Sequence, residues 1–336
     1  MNKRKLGEKF RFVGNEHSIG KKLQSRDNYF NNLITELNRS NNPIVIGPFM
    51  MEVGFELLYW IPMVTRILEN VENIDQRPIH IITRGGAHAW YPFSSHHHEI
   101  FNKIGSSDFL NMQQNRLKNF GHQKQSRLQA EEEMLLQQFF PGDSENFDVL
   151  HPMTMVRTMV DYWSGTVSPK WLENFTDYGK VTHHIRNNVN HTDLIAMKFY
   201  SRESLTNINA IDCCLQAIIS GHKKSKFIDF VISEEIDDHK YFANENLSVD
   251  RFIAPRLETN LRDQSQVLSQ AKLLIGTYGG FTYLAQYMGI PVIAWEEIAK
   301  LNRSQHLFTA EYFIKPLSGS SISLVNSKNC HSLFHD

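Results

Sequence analysis

Two glutamates suggest chemistry because they lie in an otherwise apolar segment, residues 47–56. Glu52 and Glu56 are four residues apart, so they share one helix face if both are helical. Carboxylates this close repel, which would raise the pKa of one of them, as a general base working near neutral pH requires. Glu52 is the preferred base because it lies nearer the predicted turn. The alternative interpretation is that one glutamate caps the helix and the other is solvated.

A glycine pair, Gly85 and Gly86, follows the next predicted strand and lets the backbone come close to a ligand. Arg84 precedes the pair and offers a planar fork that suits a phosphate or a carboxylate. His88 and Trp90 follow it, and both would line a binding site there. A structural glycine turn with a surface arginine is the alternative interpretation.

The segment 272–295 has the pattern of a buried strand, a turn of small residues, a helix and a second buried strand. Free N–H groups at such a helix start form an anion site, and this edge of an open parallel sheet is where phosphorylated ligands bind. The glycines match neither the dinucleotide pattern G-x-G-x-x-G nor a P-loop. Thr282 is predicted to cap the helix. The candidate binding residues of this segment are Thr277, Tyr278, Gly279, Gly280 and Thr282.

Further candidates lie at the ends of other predicted strands. Lys198 stands in an otherwise apolar strand, where its burial is costly unless the ammonium group meets an anion, and Arg202 follows it. Glu296 and His151 each follow another strand. An edge-exposed lysine and an ordinary, partly buried histidine are the alternative interpretations.

Two clusters raise the question of a metal, namely the acidic run 234–239 and the three histidines 96–98. The first is more typical of a solvated loop. Adjacent histidines in a regular element cannot all reach one ion. We therefore predict neither a metal nor a cofactor.

Composition excludes several classes of protein. The 336 residues carry a formal net charge of −1, whereas a dedicated nucleic-acid binder usually has a basic face. Three cysteines are too few for a disulfide framework and indicate a reducing compartment. Residues 1–28 lack the apolar region of a secretory signal, and the run 55–64 is too short to span a bilayer. We predict a cytoplasmic protein and leave peripheral membrane contact open.

Alternating strand and helix patterns predict an α/β protein with two Rossmann-like, doubly wound domains facing a cleft. A helix is expected near residues 28–38. The predicted parts are a polar leader at 1–40, a first domain at 41–170, a linker at 171–190, a second domain at 191–315 and a C-terminal tail at 316–336.

The run Gly276-Thr-Tyr-Gly-Gly-Phe-Thr-Tyr-Leu-Ala-Gln-Tyr-Met-Gly-Ile-Pro-Val-Ile-Ala resembles the donor-domain segment of GT-B glycosyltransferases, particularly their heptosyltransferase-like branch. That family's usual acidic residue in the turn is absent, because Tyr278 and Gly279 stand there. His151-Pro152 is similar to a phosphate-binding element of sialyltransferases that use CMP-sugars.

The resemblance implies transfer of a sugar from a nucleotide-sugar donor to a glycan or lipid-linked acceptor, in the synthesis of surface polysaccharides. It implies donor contacts from Lys198, Arg202, Thr277, Tyr278, Gly279, Gly280, Thr282 and Glu296. It implies acceptor contacts from Arg84, His88 and Trp90. The catalytic candidates are Glu52, Glu56 and His151.

Other functions remain open. A sugar-nucleotide epimerase of the same fold would turn over the donor without an acceptor. A non-catalytic GT-B-like module would bind a sugar nucleotide or a partner without turnover. A dinucleotide-dependent oxidoreductase is disfavoured by the missing glycine pattern.

Overall fold

The computed structural model describes residues 9–14, 26–142, 145–187, 189–200, 212–231, 249–296 and 301–326. The chain divides into two compact units, Met1–Val181 (unit 1) and Thr182–Asp336 (unit 2). The division falls inside the range predicted as a linker. Among the helices so described, none is long and apolar enough to cross a membrane.

Unit 1 is built on a five-stranded parallel sheet. Its strands are β1 Phe10–Phe12, β2 Ile44–Ile46, β3 Ile79–Thr83, β4 His96–Glu99 and β5 Phe147–Leu150. They lie in the order β1-β5-β2-β3-β4. Strands β2 and β5 are buried along their whole length, as parallel strands covered on both faces should be.

The described residues 26–187 include the helices α1 Arg26–Asn38, α2 (Val53–Phe55, a π-helical turn Glu56–Trp60 and Ile61–Glu69), α3 Ser106–Phe120, α4 Ala130–Phe139, α5 Met153–Trp163 and α6 Tyr178–Arg186. Helix α6 crosses the boundary between the two units. Helix α1 confirms the helix expected near residues 28–38. A capping box between Gln129 and Glu132 starts α4. Helix α3 ends where Gly121 takes a left-handed conformation.

Unit 2 is built on a six-stranded parallel sheet. Its strands are β6 Leu194–Lys198, β7 Lys226–Val231, β8 Asp250–Ile253, β9 Ala271–Thr277, β10 Val292–Glu296 and β11 Ile322–Asn326, in the order β11-β10-β9-β6-β7-β8. Its helices are α7 Asp212–Gly221, α8 Asn260–Leu268, α9 Gly280–Tyr287 and α10 (Leu301–Thr309, a π-helical turn Ala310–Ile314 and Lys315–Ser318).

The α/β class and the two parallel sheets confirm the predicted fold class. The structure also places β1 within the predicted leader 1–40 and β11 within the predicted tail 316–336, each as an edge strand of its sheet. Strand β1 has only three residues, which is too short to show a strand period in the sequence. Both ranges therefore contribute strands to the sheets.

Each sheet reverses its strand order once. In unit 1 the reversal lies between β2 and β5, and in unit 2 between β6 and β9. Open parallel sheets bind ligands in the crevice outside the carboxyl ends of the strands at such a reversal. The loops that follow these four strands are therefore where a site is expected.

Candidate functional site

The loop after β2 leads to Glu52 at the reversal point of unit 1. Glu52 is exposed and is the N-cap residue of α2, with extended backbone angles of φ −60° and ψ 144°. Glu56 begins the π-helical turn and is wholly buried. The two glutamates therefore do not share a regular helix face. The four-residue spacing assumed a regular helix, which the N-cap and the π-helical turn replace.

Glu56 lies in a buried polar group with Tyr91 and Arg84. Its Oε1 accepts a hydrogen bond from the Tyr91 hydroxyl at 2.9 Å, and its Oε2 lies 3.5 Å from Nη1 of Arg84. Burial raises the pKa of Glu56 to about 7, and the charge of Arg84 offsets part of this rise. The raised pKa that the sequence suggested thus belongs to Glu56, and its main cause is burial rather than repulsion by Glu52.

Arg84 is not a surface residue, since its side chain is only 10% exposed. Its Nη2 donates to the Met51 carbonyl at 2.6 Å, one residue before Glu52. The glycine pair that follows Arg84 does not present free N–H groups, because both donate to the carboxylate of Glu99 at 2.9 Å. Burial raises the pKa of Glu99 to about 7, although these hydrogen bonds oppose the rise.

The other two residues predicted near this turn lie differently. Trp90 is 2% exposed, so its ring is part of the interior in this conformation. His88 is partly buried and stacks on His97 with 3.8 Å between ring centroids.

His151 follows β5 and is wholly buried. Its Nδ1 accepts the Met153 N–H at 3.1 Å, which leaves Nε2 as the protonated nitrogen, 3.4 Å from Oε2 of Glu132. Glu132 is likewise buried. Burial alone would raise the pKa of Glu132, but its interaction with His151 and the charge of Arg116 outweigh burial and lower the pKa. His151 thus belongs to an internal polar network that sequence reasoning missed.

A lysine that sequence reasoning also missed lies near Glu52. The Nζ of Lys124 is 4.3 Å from the ring centroid of Trp163 and 5.2 Å from that of Phe55. Burial lowers the pKa of Lys124, and the negative charge of Glu52 opposes this. Glu52 therefore lies near the ammonium group of Lys124, which is held by two aromatic rings.

In unit 2, β6 and β9 approach so closely that only glycine fits at position 276. A Cβ there would lie 2.1 Å from the Lys198 carbonyl oxygen. The Thr277 hydroxyl accepts the Tyr200 N–H at 3.1 Å and donates to the Tyr200 carbonyl at 3.0 Å. Thr277 therefore ties together the two chain segments that leave the sheet at the reversal point.

Lys198 is only 6% exposed at the carboxyl end of β6. Its Nζ donates to Oε1 of Gln264 at 2.5 Å and lies 4.1 Å from the ring centroid of Phe281. Phe281 is in the first turn of α9, so the ammonium group lies beside the start of that helix. A cation at the positive end of a helix dipole is unfavourable by itself, and an anion bound nearby would compensate both charges.

Helix α9 starts without a side-chain cap. Gly279 is its N-cap residue, and Thr282 lies inside the helix, where its hydroxyl donates to the Gly279 carbonyl at 2.6 Å. The prediction that Thr282 caps the helix is therefore wrong. The Tyr278 hydroxyl accepts a hydrogen bond from that of Tyr283 at 2.7 Å, and both rings are buried.

Glu296 is buried at the carboxyl end of β10, while Gly280 is the first residue of α9. Arg202 and the acidic run 234–239 lie outside the described residues. In the described ranges, no group of three or more His, Cys, Asp or Glu side chains is arranged to hold a metal ion. The adjacent histidines 96–98 point to alternate faces of β4, and Nδ1 of His80 lies 3.0 Å from Nε2 of His98.

Comparisons with known proteins give likenesses at low identity. No family model matches the chain, and no curated protein matches its sequence. The structure is similar to Escherichia coli heptosyltransferase WaaC with ADP, at 11% identity and a TM-score of 0.44, over 85% of this chain and 94% of that one. It is also similar to a family 9 glycosyl transferase from Veillonella parvula, at 11% identity and a TM-score of 0.42, over 88% and 89% of the two chains.

A third likeness is to a UDP-N-acetylglucosamine 2-epimerase from Listeria monocytogenes. The identity is 13% and the TM-score 0.38, over 87% of each chain. The similar structures thus include a heptosyltransferase, the branch that the run 276–294 resembles, and an enzyme of the alternative, epimerase type. The function of this chain must therefore be inferred from the residues at the carboxyl ends of the strands in the two sheets.

Proposed function

We propose that this protein is a glycosyltransferase that takes its sugar from a nucleotide-sugar donor. Unit 2 would bind the donor phosphates, and unit 1 would bind the acceptor and supply the base. The acceptor would be a glycan or a lipid-linked sugar of a surface polysaccharide. Action in the cytoplasm, with peripheral contact to a membrane where the acceptor is lipid-linked, remains a prediction.

The single observation that supports the donor site is the position of Lys198. Its ammonium group lies beside the first turn of α9, a helix start that no side chain caps. Both features favour a negative charge at the same place, the reversal point of the sheet. A nucleoside diphosphate supplies such a charge, and we expect it to contact Lys198 without a bridging metal ion.

The proposed reaction uses the exposed Glu52 as the base. Its carboxylate would remove the proton of the acceptor hydroxyl as that oxygen attacks the anomeric carbon. The bond between the sugar and the nucleotide phosphate breaks, and the phosphate leaves with its electron pair. Lys198 and the start of α9 would stabilise the negative charge on this phosphate.

Binding is tested by thermal shift with UDP, GDP, ADP, dTDP and CMP, each with and without divalent metal, and with NAD as a control. A nucleotide at a hundred times its Kd should stabilise the wild type by about 2.7 kcal/mol. A hydrogen bond to a charged group is worth about 1.5–3 kcal/mol, so Lys198→Met should weaken affinity by roughly 10- to 100-fold. Lys226→Met is the matched control, since Lys226 lies on the same sheet but is exposed.

The outcomes separate the possible functions. Equal affinities for Lys198→Met and Lys226→Met, or no response to any nucleotide, would contradict the donor site. Turnover of the donor without an acceptor would favour an epimerase. For a transferase, Glu52→Gln should keep nucleotide affinity and abolish transfer, whereas a binding module shows no turnover in either form.

A further inference from the structure

The loop between β2 and α2 is held by one buried glutamine. Gln125 is wholly buried. Its Oε1 accepts the Met50 N–H at 2.7 Å, and its Nε2 donates to the Pro48 carbonyl at 2.9 Å. The side-chain amide thus pairs with both a donor and an acceptor of the loop, in the manner of a neighbouring strand.

Glu132 fixes which way this amide points. Its Oε1 accepts a hydrogen bond from Nε2 of Gln125 at 2.6 Å, so the amide nitrogen must face the carboxylate. The same oxygen accepts from Nη2 of Arg116 at 2.9 Å. Arg116 is 1% exposed, and its Nη2 also lies 3.3 Å from Sδ of Met50. A continuous chain of contacts therefore runs from the two helices α3 and α4 to the loop.

Two further buried side chains donate hydrogen bonds to the same loop. Nε2 of Gln113 donates to the Met50 carbonyl at 3.3 Å, and Arg84 donates to the Met51 carbonyl. Side chains thereby bond the Met50 N–H and the carbonyls of Pro48, Met50 and Met51. The next residue, Glu52, is the one that stays exposed.

Burying the polar and charged side chains of this network costs desolvation free energy, and filling the interior does not require such side chains. Apolar side chains of similar volume often stabilise an interior as well as, or better than, a buried ion pair such as Arg116–Glu132. A loop shape, by contrast, is specified better by directed hydrogen bonds than by apolar contacts. The bonds of this network end on the backbone that carries Glu52.

We propose that Gln125, oriented by Glu132, is the positioning residue for the base Glu52. This inference rests on the proposed function. Gln125 touches no substrate and acts through the backbone of Met50 and Met51. Its removal lets that loop move, and the carboxylate of Glu52 then no longer meets the acceptor hydroxyl in the reactive geometry.

The experiment compares wild type, Gln125→Met and the control Gln114→Met, which replaces an exposed glutamine of α3. A displacement of about 1 Å at a reacting group can cost 10²-fold in rate. We therefore expect kcat for sugar transfer to fall by roughly 100-fold in Gln125→Met, with the KM for the donor unchanged, and Gln114→Met to behave as wild type. Hydrogen exchange at the Met50 amide should accelerate in the same variant.

Two near-isosteric variants provide a second test. In Glu132→Gln an amide oxygen can still accept from Nε2 of Gln125, so both bonds from Gln125 to the loop are kept. In Gln125→Glu two carboxylates meet and the Pro48 carbonyl loses its donor. The kcat of Glu132→Gln should therefore exceed that of Gln125→Glu, which also keeps the proposal testable if Gln125→Met fails to fold.

Several results would overturn the proposal. Faster exchange at Met50 with unchanged kcat would show that the loop does not set the rate. Unchanged exchange in Gln125→Met would show that the glutamine does not hold the loop. A wild type that transfers no sugar from any donor would contradict the proposed function instead, and it is distinguished because the Met50 exchange is measured independently of activity.

Discussion

The two units have the same kind of sheet but place the ion pairs of their described residues differently. In unit 1 the pairs Arg77–Asp148, Arg84–Glu56 and Arg116–Glu132 are buried, each with a carboxylate that is 0% exposed. In unit 2 the pairs Lys226–Asp250 and Lys272–Asp193 lie on exposed side chains. The carboxyl edge of unit 2 is instead held by the close approach at Gly276 and by the hydroxyl of Thr277.

The difference teaches that a parallel sheet of this kind can have its ion pairs either in the interior or on the surface. Buried ion pairs are weak evidence for stability, because desolvation offsets most of the attraction. The buried ion pairs of unit 1 instead lie next to particular stretches of backbone. Arg84 and the Arg116–Glu132 pair both lead to the loop 47–52, whereas the turn of unit 2 is short enough for backbone packing to define it.

The largest effect is expected at the amino ends of the strands, where ion pairs join neighbouring chain segments in both units. Asp148 accepts from Arg77 at 2.7 Å, and the Arg77 side chain is only 2% exposed. Asp148→Asn leaves a buried arginine without its counter-charge, so we expect a loss of about 3–5 kcal/mol in the free energy of unfolding. Urea unfolding, followed by hydrogen exchange of peptides from each unit, measures it.

The matched change in unit 2 is Asp193→Asn. Asp193 is 84% exposed and its Oδ1 lies 3.1 Å from Nζ of Lys272. Exposed pairs are worth about 1 kcal/mol or less, so unit 2 should hardly change. Equal losses in the two variants would remove the contrast between the units.

The next effect tests how unit 2 holds its edge. Gly276→Ala puts a Cβ 2.1 Å from the Lys198 carbonyl oxygen and 3.0 Å from its carbonyl carbon. Because both atoms are backbone, β6 and β9 must separate, and we expect unit 2 to lose about 3 kcal/mol of stability. Exchange of β6 and β9 peptides in urea measures the loss.

Gly221→Ala is the control for that change. Gly221 lies at the end of α7, and an added Cβ would meet nothing within 4 Å. Alanine is a better helix former than glycine, so this variant should be equal to or up to about 1 kcal/mol more stable than wild type. If Gly276→Ala is as stable as the wild type, side-chain hydrogen bonds such as those of Thr277 hold the carboxyl ends of β6 and β9 together.

Much of unit 2 could be predicted from the sequence because the residues that define its strands and helices are close together in the chain. The run of apolar residues, small turn residues and helix pattern at 272–295 places β9, α9 and β10 within one short segment. Thr282 shows the limit of such reasoning. The residue type suits a cap, but the N-cap residue is Gly279, and position 282 falls inside the first turn of the helix.

The site of unit 1 could not be predicted because its contacts join distant parts of the chain. Gln125 lies 75 residues from Met50, in the stretch 111–138, which is rich in Gln, Lys, Arg and Glu. Neither Gln125 nor Glu132 has a local signal for burial. Glu52 and Glu56 were found by their apolar surroundings, but their separation into an exposed and a buried carboxylate depends on a π-helical turn that spacing does not indicate.

The last difference between the units is in the pH dependence of stability, which should be concentrated in unit 1. The pKa of Glu56 is raised to about 7 by burial, above its ordinary value of 4.5. The folded state therefore binds this proton more tightly than the unfolded state does. The stability that results is complete below pH 4.5 and is lost as the pH rises to about 7.

Other groups of unit 1 act in the same range, among them Glu99 and His98. Burial also raises the pKa of Glu99 to about 7, which adds to the loss. Burial lowers the pKa of His98 to about 4, so that its contribution is present above pH 6.5 and is lost as the pH falls to about 4. These opposite trends partly cancel in the wild type, so the comparison must be made between variants.

Glu56→Gln removes one titrating group from the interior, and Glu52→Gln removes one from the surface. Between pH 4.5 and 7, the first variant should lack a fall of about 1.4 kcal/mol per pH unit that the wild type shows, whereas the second should keep the wild-type slope. Hydrogen exchange of α2 peptides in urea, repeated at several pH values, measures both slopes. If Glu56→Gln keeps the wild-type slope, the buried carboxyl is already ionised in the folded protein, and its pair with Arg84 is then a full ion pair like Arg77–Asp148.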